Sequence, residues 1–518
     1  MQHSTDRSDS QAADAPSVPM RTWMGFAMMC LGMFMAILDI QVVATSMPTI
    51  QAALAVEPDR ISFVQTAYLI AEVVAIPLTG FLTRVLTMRW LFVSALSVFT
   101  LASIGCAASQ SFAALVAWRV LQGFSGGTLI PTVFSAVFLM FPDRQQALAT
   151  TIAGVLAVLA PTVGPIVGGW ITETWSWHWL FLINVAPGVV AARAASRLLP
   201  VEALEVGATR RLDLVSLVLM ATALAALILG LKEAPQRGWL SAPVSGLLAL
   251  SAVGLAGFLA RTLKGPFPIV SLRTFGDPGF AVGCTLSFVL GIGLFGSVYM
   301  MPVFLAVAHG YGALAIGTIM LVTGIAQLAT APLAVALERR IDARLLSAFG
   351  FLTFAIGLGA SAVQTPETDY DGMFWPQVIR GVAIMFCLLP PTRMALGHLA
   401  PEAVPDASGL FNLMRNLGGA IGLALIDTVI FSRAPVHASA IVERLKAGDP
   451  ATAKALGLPP EIVAAGGPGA IGDEVKLMLQ PMIEKLAFVY AMNEAWGLVA
   501  LITFAAIASL ALVRPDAR

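Results

Sequence analysis

The stretch Met24-Gly-Phe-Ala-Met-Met-Cys-Leu-Gly-Met-Phe-Met-Ala-Ile-Leu-Asp39-Ile-Gln-Val-Val-Ala-Thr-Ser-Met47 is apolar enough to lie in lipid, yet it holds an acid. A second such run, Ile61-Ser-Phe-Val-Gln65-Thr-Ala-Tyr68-Leu-Ile-Ala-Glu72-Val-Val-Ala-Ile-Pro-Leu-Thr-Gly-Phe-Leu82, does the same. A carboxylate near the bilayer centre costs at least ~2.5 kcal/mol on insertion scales, so it persists where it handles an ion, a proton or a substrate. Both runs are long enough for a crossing, which takes about 20 apolar residues. The first is too long for a signal-peptide core and has no small-residue cleavage site.

Working outward, the same kind of run recurs at roughly 24–47, 61–82, 90–108, 112–138, 148–171, 179–197, 213–231, 240–261, 279–305, 312–335, 344–363, 374–397, 408–432 and 486–513. That predicts an all-α membrane protein of fourteen helices. The composition agrees: 58% of residues are hydrophobic and 12% charged, against about 25% charged in soluble domains. The formal net charge of +0 speaks against a nucleic-acid partner. Residues 1–20 read as a disordered polar tail. Cys30, Cys106, Cys284 and Cys387 all fall inside predicted helices, as packing residues.

Orientation follows from Lys and Arg. With an even helix count, Arg84, Arg89, Arg144, Arg193, Arg197, Arg261, Lys264, Arg273, Arg339, Arg340, Arg344 and Arg393 share a side with both termini, while the opposite short loops hold Arg60, Lys232 and Arg237. Both termini are therefore expected in the cytoplasm. The outer loop 433–484 escapes the charge rule by its length. Its flanks, Ala438–Lys446 and Glu474–Glu484, read as amphipathic helices and suggest a small subdomain lying on the membrane surface.

A weak repeat divides the chain. Leu121-Gln122-Gly123 followed by Pro131-Thr132 matches Ile379-Arg380-Gly381 followed by Pro390-Pro391-Thr392. The expected domains are a six-helix bundle over 21–200, two inserted helices over 201–270, and a second six-helix bundle over 271–518. Carriers built from such repeats bind substrate near the midplane between the halves.

Depth arithmetic relates the charges. At about 1.5 Å per residue, Asp39 and Arg119 both lie roughly 10 Å below the outer boundary of a ~30 Å core and are expected to pair. Glu72 falls near the midplane, with Gln65 and Tyr68 at helical spacing on its helix. Asp39, Glu72 and Arg119 are the expected proton-coupling set, and Glu72 the leading carrier. Asp427, close to the outer interface, is a possible second charge site. Gln65, Tyr68 and Met35 are cavity candidates, Met because it repacks around varied ligands. Arg380 and Arg415 read as structural or conformational.

The helix 5 stretch Gly164-Pro165-Ile-Val-Gly168-Gly169 resembles the antiporter motif G-x-x-x-G-P-x-x-G-G of the major facilitator superfamily, and Arg119-Val-Leu-Gln122-Gly123 resembles its companion. Leu38-Asp39 through Pro48-Thr-Ile50, Trp177-His178-Trp179 through Asn184, and Arg415-Asn-Leu-Gly-Gly are similar to signatures of fourteen-helix drug:proton antiporters of the EmrB/QacA type. The glycines make a close-packing stripe and Pro161 and Pro165 interrupt the helix ladder, which suits a hinge and seal. Two motifs depart: the helix 1 signature has Gln41 and Ala44 where the family has Thr and Asn, and Gly80-Phe-Leu-Thr-Arg84-Val-Leu-Thr87-Met-Arg89 replaces the family's gating Asp with Arg84 and its second Gly with Thr87. An identical gate is not expected there.

The resemblance implies multidrug efflux across the inner membrane by proton antiport, driven by the proton gradient with no cofactor and no metal. Lipophilic, often cationic, compounds would be the substrates. Its implied partners are membrane lipid, small molecules, and a periplasmic adaptor with an outer-membrane channel. Export of an endogenous metabolite, lipid or siderophore is the alternative. No G-x-x-x-x-G-K-[ST] and no H-E-x-x-H occurs, so neither an ATPase nor a zinc enzyme is indicated, and the chain is not expected to be an enzyme.

Overall fold

The computed structural model describes residues 18–57, 60–201, 213–265, 268–458 and 473–513. Most of the polar tail and the centre of the outer loop lie outside them. Within lipid every backbone polar group must be satisfied inside its own segment, and helices do this. Among the described residues, 13 helical segments are long and apolar enough to cross a membrane.

One of these, Phe63–Ala107, is 45 residues long, or about 68 Å at helical rise, more than twice a ~30 Å core. Its neighbours show that the chain reverses inside it. Gly123 and Gly127 sit against the backbones of Tyr68 and Glu72 in ascending order, whereas Trp118 and Gly126 meet Gly105 and Phe99 in descending order. The reversal falls at Thr87, whose φ of 67° and ψ of 157° leave the helical region. The segment therefore makes two crossings, which brings the described residues to fourteen. The stretch expected between the second and third runs, 83–89, is helical apart from this one residue.

The fourteen helices are α1 (Met20–Thr45), α2 (63–86), α3 (88–107), α4 (Phe112–Met140), α5 (Asp143–Thr174), α6 (Trp179–Leu198), α7 (Leu214–Arg237), α8 (Ala242–Lys264), α9 (Pro278–His309), α10 (Ala313–Glu338), α11 (Ala343–Ala360), α12 (Tyr370–Leu396), α13 (Val404–Lys446) and α14 (Asp473–Ala505). Helices α1–α6 surround a core that includes Phe26, Met33, Phe92, Phe99 and Phe134. Helices α9–α14 surround another, with Met300, Phe304, Phe351, Phe354 and Trp496. Serine and aspartate start several helices: Ser111 accepts from the Ala114 amide, Asp277 from Phe280 and Asp342 from Arg344.

The inserted pair α7–α8 bridges the halves. Lys232 donates to Ser62, just ahead of α2, at 2.9 Å and to Thr66 on α2 at 2.7 Å, and Trp239 donates to Thr428 on α13 at 3.0 Å. The halves also meet directly along α5 and α10, where Gly317 and Gly324 face Ile166 and Thr162.

The segment expected as an outer loop differs from a subdomain lying flat. Ala438–Lys446 runs on from α13 and Glu474–Glu484 opens α14, without a break from the membrane helices. Ile441, Leu445, Ala453, Leu456, Ile483 and Leu486 pack between them. Their apolar faces are buried against one another, so the two extensions rise as a paired stalk, with Pro450–Ala455 as a short helix beside it.

Candidate functional site

Five helices of the N-terminal half converge on Asp39. Arg119 of α4 bonds one carboxylate oxygen directly. Gln122 and Asn184 donate to the other at 3.0 Å and 2.8 Å. Gln122 also accepts from Arg119 at 2.8 Å and donates to Ser103 of α3 at 2.8 Å. From α2, the Val64 carbonyl accepts from the Arg119 Nε at 3.4 Å and the Tyr68 ring lies 4.2 Å below the guanidinium. Asp39 is 1% exposed and Arg119 0%. Removing a charge from water is expensive unless it is paired and hydrogen-bonded, and here almost every lone pair and donor is used; within this cluster, among the described residues, Arg119 Nη2 alone stays unmatched.

Gln122 reaches Asp39 because α4 approaches so closely. A side chain at Gly123 would strike the Tyr68 carbonyl, and one at Gly127 the backbone of Glu72. Such backbone-to-backbone crossings need residues without side chains. Gly164 does the same for α5, lying on Gln41 of α1. Pro165, Gly168 and Gly169 continue that buried face.

Glu72 is 3% exposed and its Oε2 has no partner among the described residues. It lies about 14 Å along α2 from Phe63, at mid-depth, beside the Asp39–Arg119 cluster without joining it. Of the cavity candidates, Tyr68 is buried and donates to the Ala36 carbonyl at 3.2 Å. Met35 is buried within the N-terminal core and Gln65 is half-buried. Asp427 accepts from Tyr299 at 2.7 Å between α13 and α9.

The departed motif makes a contact after all. Arg84 forms a 2.6 Å ion pair with Asp406, at the start of α13 in the other half. Asp406 is 5% exposed and sits over Gly80, where any side chain would displace it. The acid that the family's pattern puts on the α2–α3 turn stands here on the facing helix, and the base has taken its place. Nearby, Ser408 donates to the Pro131 carbonyl at 2.8 Å, and Arg339 donates to the Arg144 carbonyl at 3.1 Å. All of these bonds join the halves at the arginine-rich face.

Sequence reasoning missed three residues. Ser103 lies in an apolar run with nothing to mark it; Asn184 belongs to a family signature, but its role depends on where α6 docks. Glu338, ending α10, is 3% exposed, and neither of its carboxylate oxygens has a partner among the described residues.

Comparison with known proteins accords with this geometry. Residues 29–423 match the family described as the Major Facilitator Superfamily. The chain is 37% identical over 420 residues to the colistin resistance protein EmrB of Acinetobacter baumannii, covering 81% of this chain and 82% of that one. It is 30% identical to the multidrug export protein EmrB of Escherichia coli K12, with 81% and 82% covered. Among solved structures, the proton:xylose symporter XylE aligns with a TM-score of 0.57 at 12% identity over 94% of this chain and 95% of that one. The human organic anion transporter MFSD10 aligns at 0.60 and 14%, over 95% and 100%. The chain is a multi-pass membrane protein of the major facilitator superfamily, in the group of EmrB-type transporters.

Proposed function

We propose that this protein exports small lipophilic compounds from the cytoplasm across the inner membrane in exchange for protons, as a multidrug efflux carrier. Sequence relatives named as multidrug export proteins support the export. The observation that carries the coupling is Glu72: a buried carboxyl at mid-depth with a free oxygen, next to a cluster that has settled its own charges. An ionised carboxylate is costly in such a place unless partnered. Taking up a proton from outside and releasing it to the cytoplasm is the change this site supports. Asp39, held by Arg119, Gln122 and Asn184, fixes the cluster rather than exchanging freely.

In this reading the arginine-rich face is cytoplasmic, by the positive-inside rule, and the Arg84–Asp406 pair holds that face shut. Substrate and proton compete, so each weakens the other's binding by the same factor. The stalk on the opposite face is the natural contact for a periplasmic adaptor leading to an outer-membrane channel. Export of an endogenous metabolite, lipid or siderophore would use the same machinery.

Glu72→Gln is the test. In proteoliposomes with an imposed pH gradient, the variant should reach normal levels in the membrane but lose gradient-driven efflux. Efflux with unchanged proton coupling in the variant would sink the assignment.

A further inference from the structure

At the arginine-rich face two seams join the halves, and each holds a buried acid. Along α2 and α13 the acid is Asp406, and Arg84 pairs with it across the seam at 2.6 Å. Along α5 and α10 it is Glu338, the last residue of α10, whose two carboxylate oxygens have no partner among the described residues. Nor does Glu338 serve the buried guanidiniums deeper in its half. Arg380 reaches the Met301 thioether at 3.5 Å and Arg415 donates to Asn412 at 2.5 Å. Among the described residues no carboxylate pairs with either.

The cations beside Glu338 are occupied by carbonyls. Arg393 of α12 donates to the backbone carbonyl of Glu338 itself at 3.3 Å. Arg339, next in the chain, crosses the seam to the Arg144 carbonyl at the start of α5, at 3.1 Å. Both lie within electrostatic reach of the carboxyl. The other charged groups at this end are Asp143 on α5, which accepts from Gln146, Arg340 and Asp342 in the turn to α11, and Arg344 on α11. The exposed Asp277–His398 pair stands at the foot of α9. Arg344 Nε and Gln145 Oε1 are also buried without partners among the described residues. This end therefore carries more hydrogen-bonding groups than the shut seam joins.

An ionised carboxylate buried without donors is costly, and the neutral acid far less so. Glu338 is thus placed to hold a proton while the seam is shut. When α5 and α10 part at this end, the Arg339–Arg144 bond must break. That frees a guanidinium one residue from Glu338 and admits water, while Arg393 already stands at its backbone. The carboxylate then gains charged donors, the strong class of hydrogen bond. Ionisation and opening favour each other, and by linkage each shifts the other by the same factor.

We infer that Glu338 is a proton-operated latch on the α5–α10 seam, which loses its proton to the water of the arginine-rich face as Arg339 lets go of Arg144. The proton enters and leaves on one side, so the latch moves none across the membrane. It sets how readily that face opens at a given pH. It is separate from Glu72 and from the nature of the cargo. On a cytoplasmic face, an acid interior would keep the carrier shut and an alkaline one would favour the state that accepts cargo.

The experiment places spin labels at Leu148→Cys on α5 and Leu345→Cys on α11, both exposed, in the full-length protein in nanodiscs without cargo or gradient. The four native cysteines are buried and stay unlabelled. Double electron–electron resonance gives the open-to-shut ratio between about pH 5.5 and 8.5. That ratio should rise about tenfold with pH. Glu338→Gln should hold it at the low-pH value throughout, and Glu338→Asp should retain the rise. Arg339→Gln should move the midpoint up by about one pH unit, since the ionised acid loses a cation. Glu72→Gln, which stops the proton exchange proposed above, should still show the rise, as should His398→Gln. A ratio that ignores pH in the unmodified protein overturns the inference. So does an unchanged rise in Glu338→Gln, or loss of the rise in Glu72→Gln or His398→Gln. Should Glu338→Gln not fold, an unmoved midpoint in Arg339→Gln overturns it as well.

Discussion

Helix α4 carries Arg119 and Gln122 three residues apart just ahead of Gly123, and helix α12 carries Gln377 and Arg380 at the same spacing just ahead of Gly381. Both glycines seat their helix on a neighbour's backbone, Gly123 on Tyr68 and Gly381 on Thr323. The scaffold repeats while the chemistry does not. In the N-terminal half a carboxylate, Asp39, receives the arginine and both amides. In the C-terminal half Arg380 finds the Met301 thioether and, among the described residues, no acid. A duplicated framework thus keeps its packing residues and lets its charges diverge, giving one closed network and one with open valences.

The sharpest way to break this comparison is to remove a partner from each side. Asp39→Ala strands Arg119 in a dry site, and stranding one member of a buried pair costs about 3–5 kcal/mol. Arg380→Met strands no counter-charge and should be neutral or stabilising. Thermal unfolding of both variants in detergent measures this; a comparable loss in the two would mean that Arg380 has a partner of its own.

A smaller effect is expected where the halves touch. Arg84→Asp sets two carboxylates against each other at the arginine-rich face, and efflux in everted vesicles should fall by about tenfold, or ~1.4 kcal/mol. Adding Asp406→Arg should restore most of it, since the exchange keeps the pair and only reverses its direction. If the double variant is no better than the single one, charge at this contact is not what joins the halves.

The smallest effect concerns the turns. In the C-terminal half, α10 passes to α11 through residues 339–342, capped by Asp342. In the N-terminal half, α2 passes to α3 at Thr87 alone, in a backbone region that is essentially restricted to glycine. The Thr87 hydroxyl is buried without a partner among the described residues. Thr87→Gly should therefore stabilise the protein by up to about 1 kcal/mol, the relief of strain being partly offset by a freer unfolded chain. A loss of stability instead would show that the threonine side chain supports the turn.

The helices are legible in the sequence because lipid imposes one length and one composition on every crossing. Asp39 and Arg119 can be matched from their positions in the chain, since helical rise converts place in a run into depth. Depth says nothing about azimuth, so Asn184 and Ser103, which close the same network, cannot be assigned to it that way. The Arg84–Asp406 pair spans 322 positions; the substitution at Arg84 is visible in the sequence, its compensation on another helix is not. The uncompensated state of Arg380 and Arg415 is hidden for the same reason. An arginine in a sequence carries no sign of whether an acid faces it.

Helix α13 has 43 residues, so it is about 65 Å long, and Arg415 stands roughly 46 Å from its far tip. The paired stalk makes that tip the end of a lever whose arm begins at the level of Arg415. A rocking of the C-terminal half by about 10°, within the range of domain rotations, sweeps the tip sideways by about 8 Å. The molecule thereby magnifies an event at the membrane's centre into a displacement well outside it, where another protein could feel the cycle advance without ever touching the cargo.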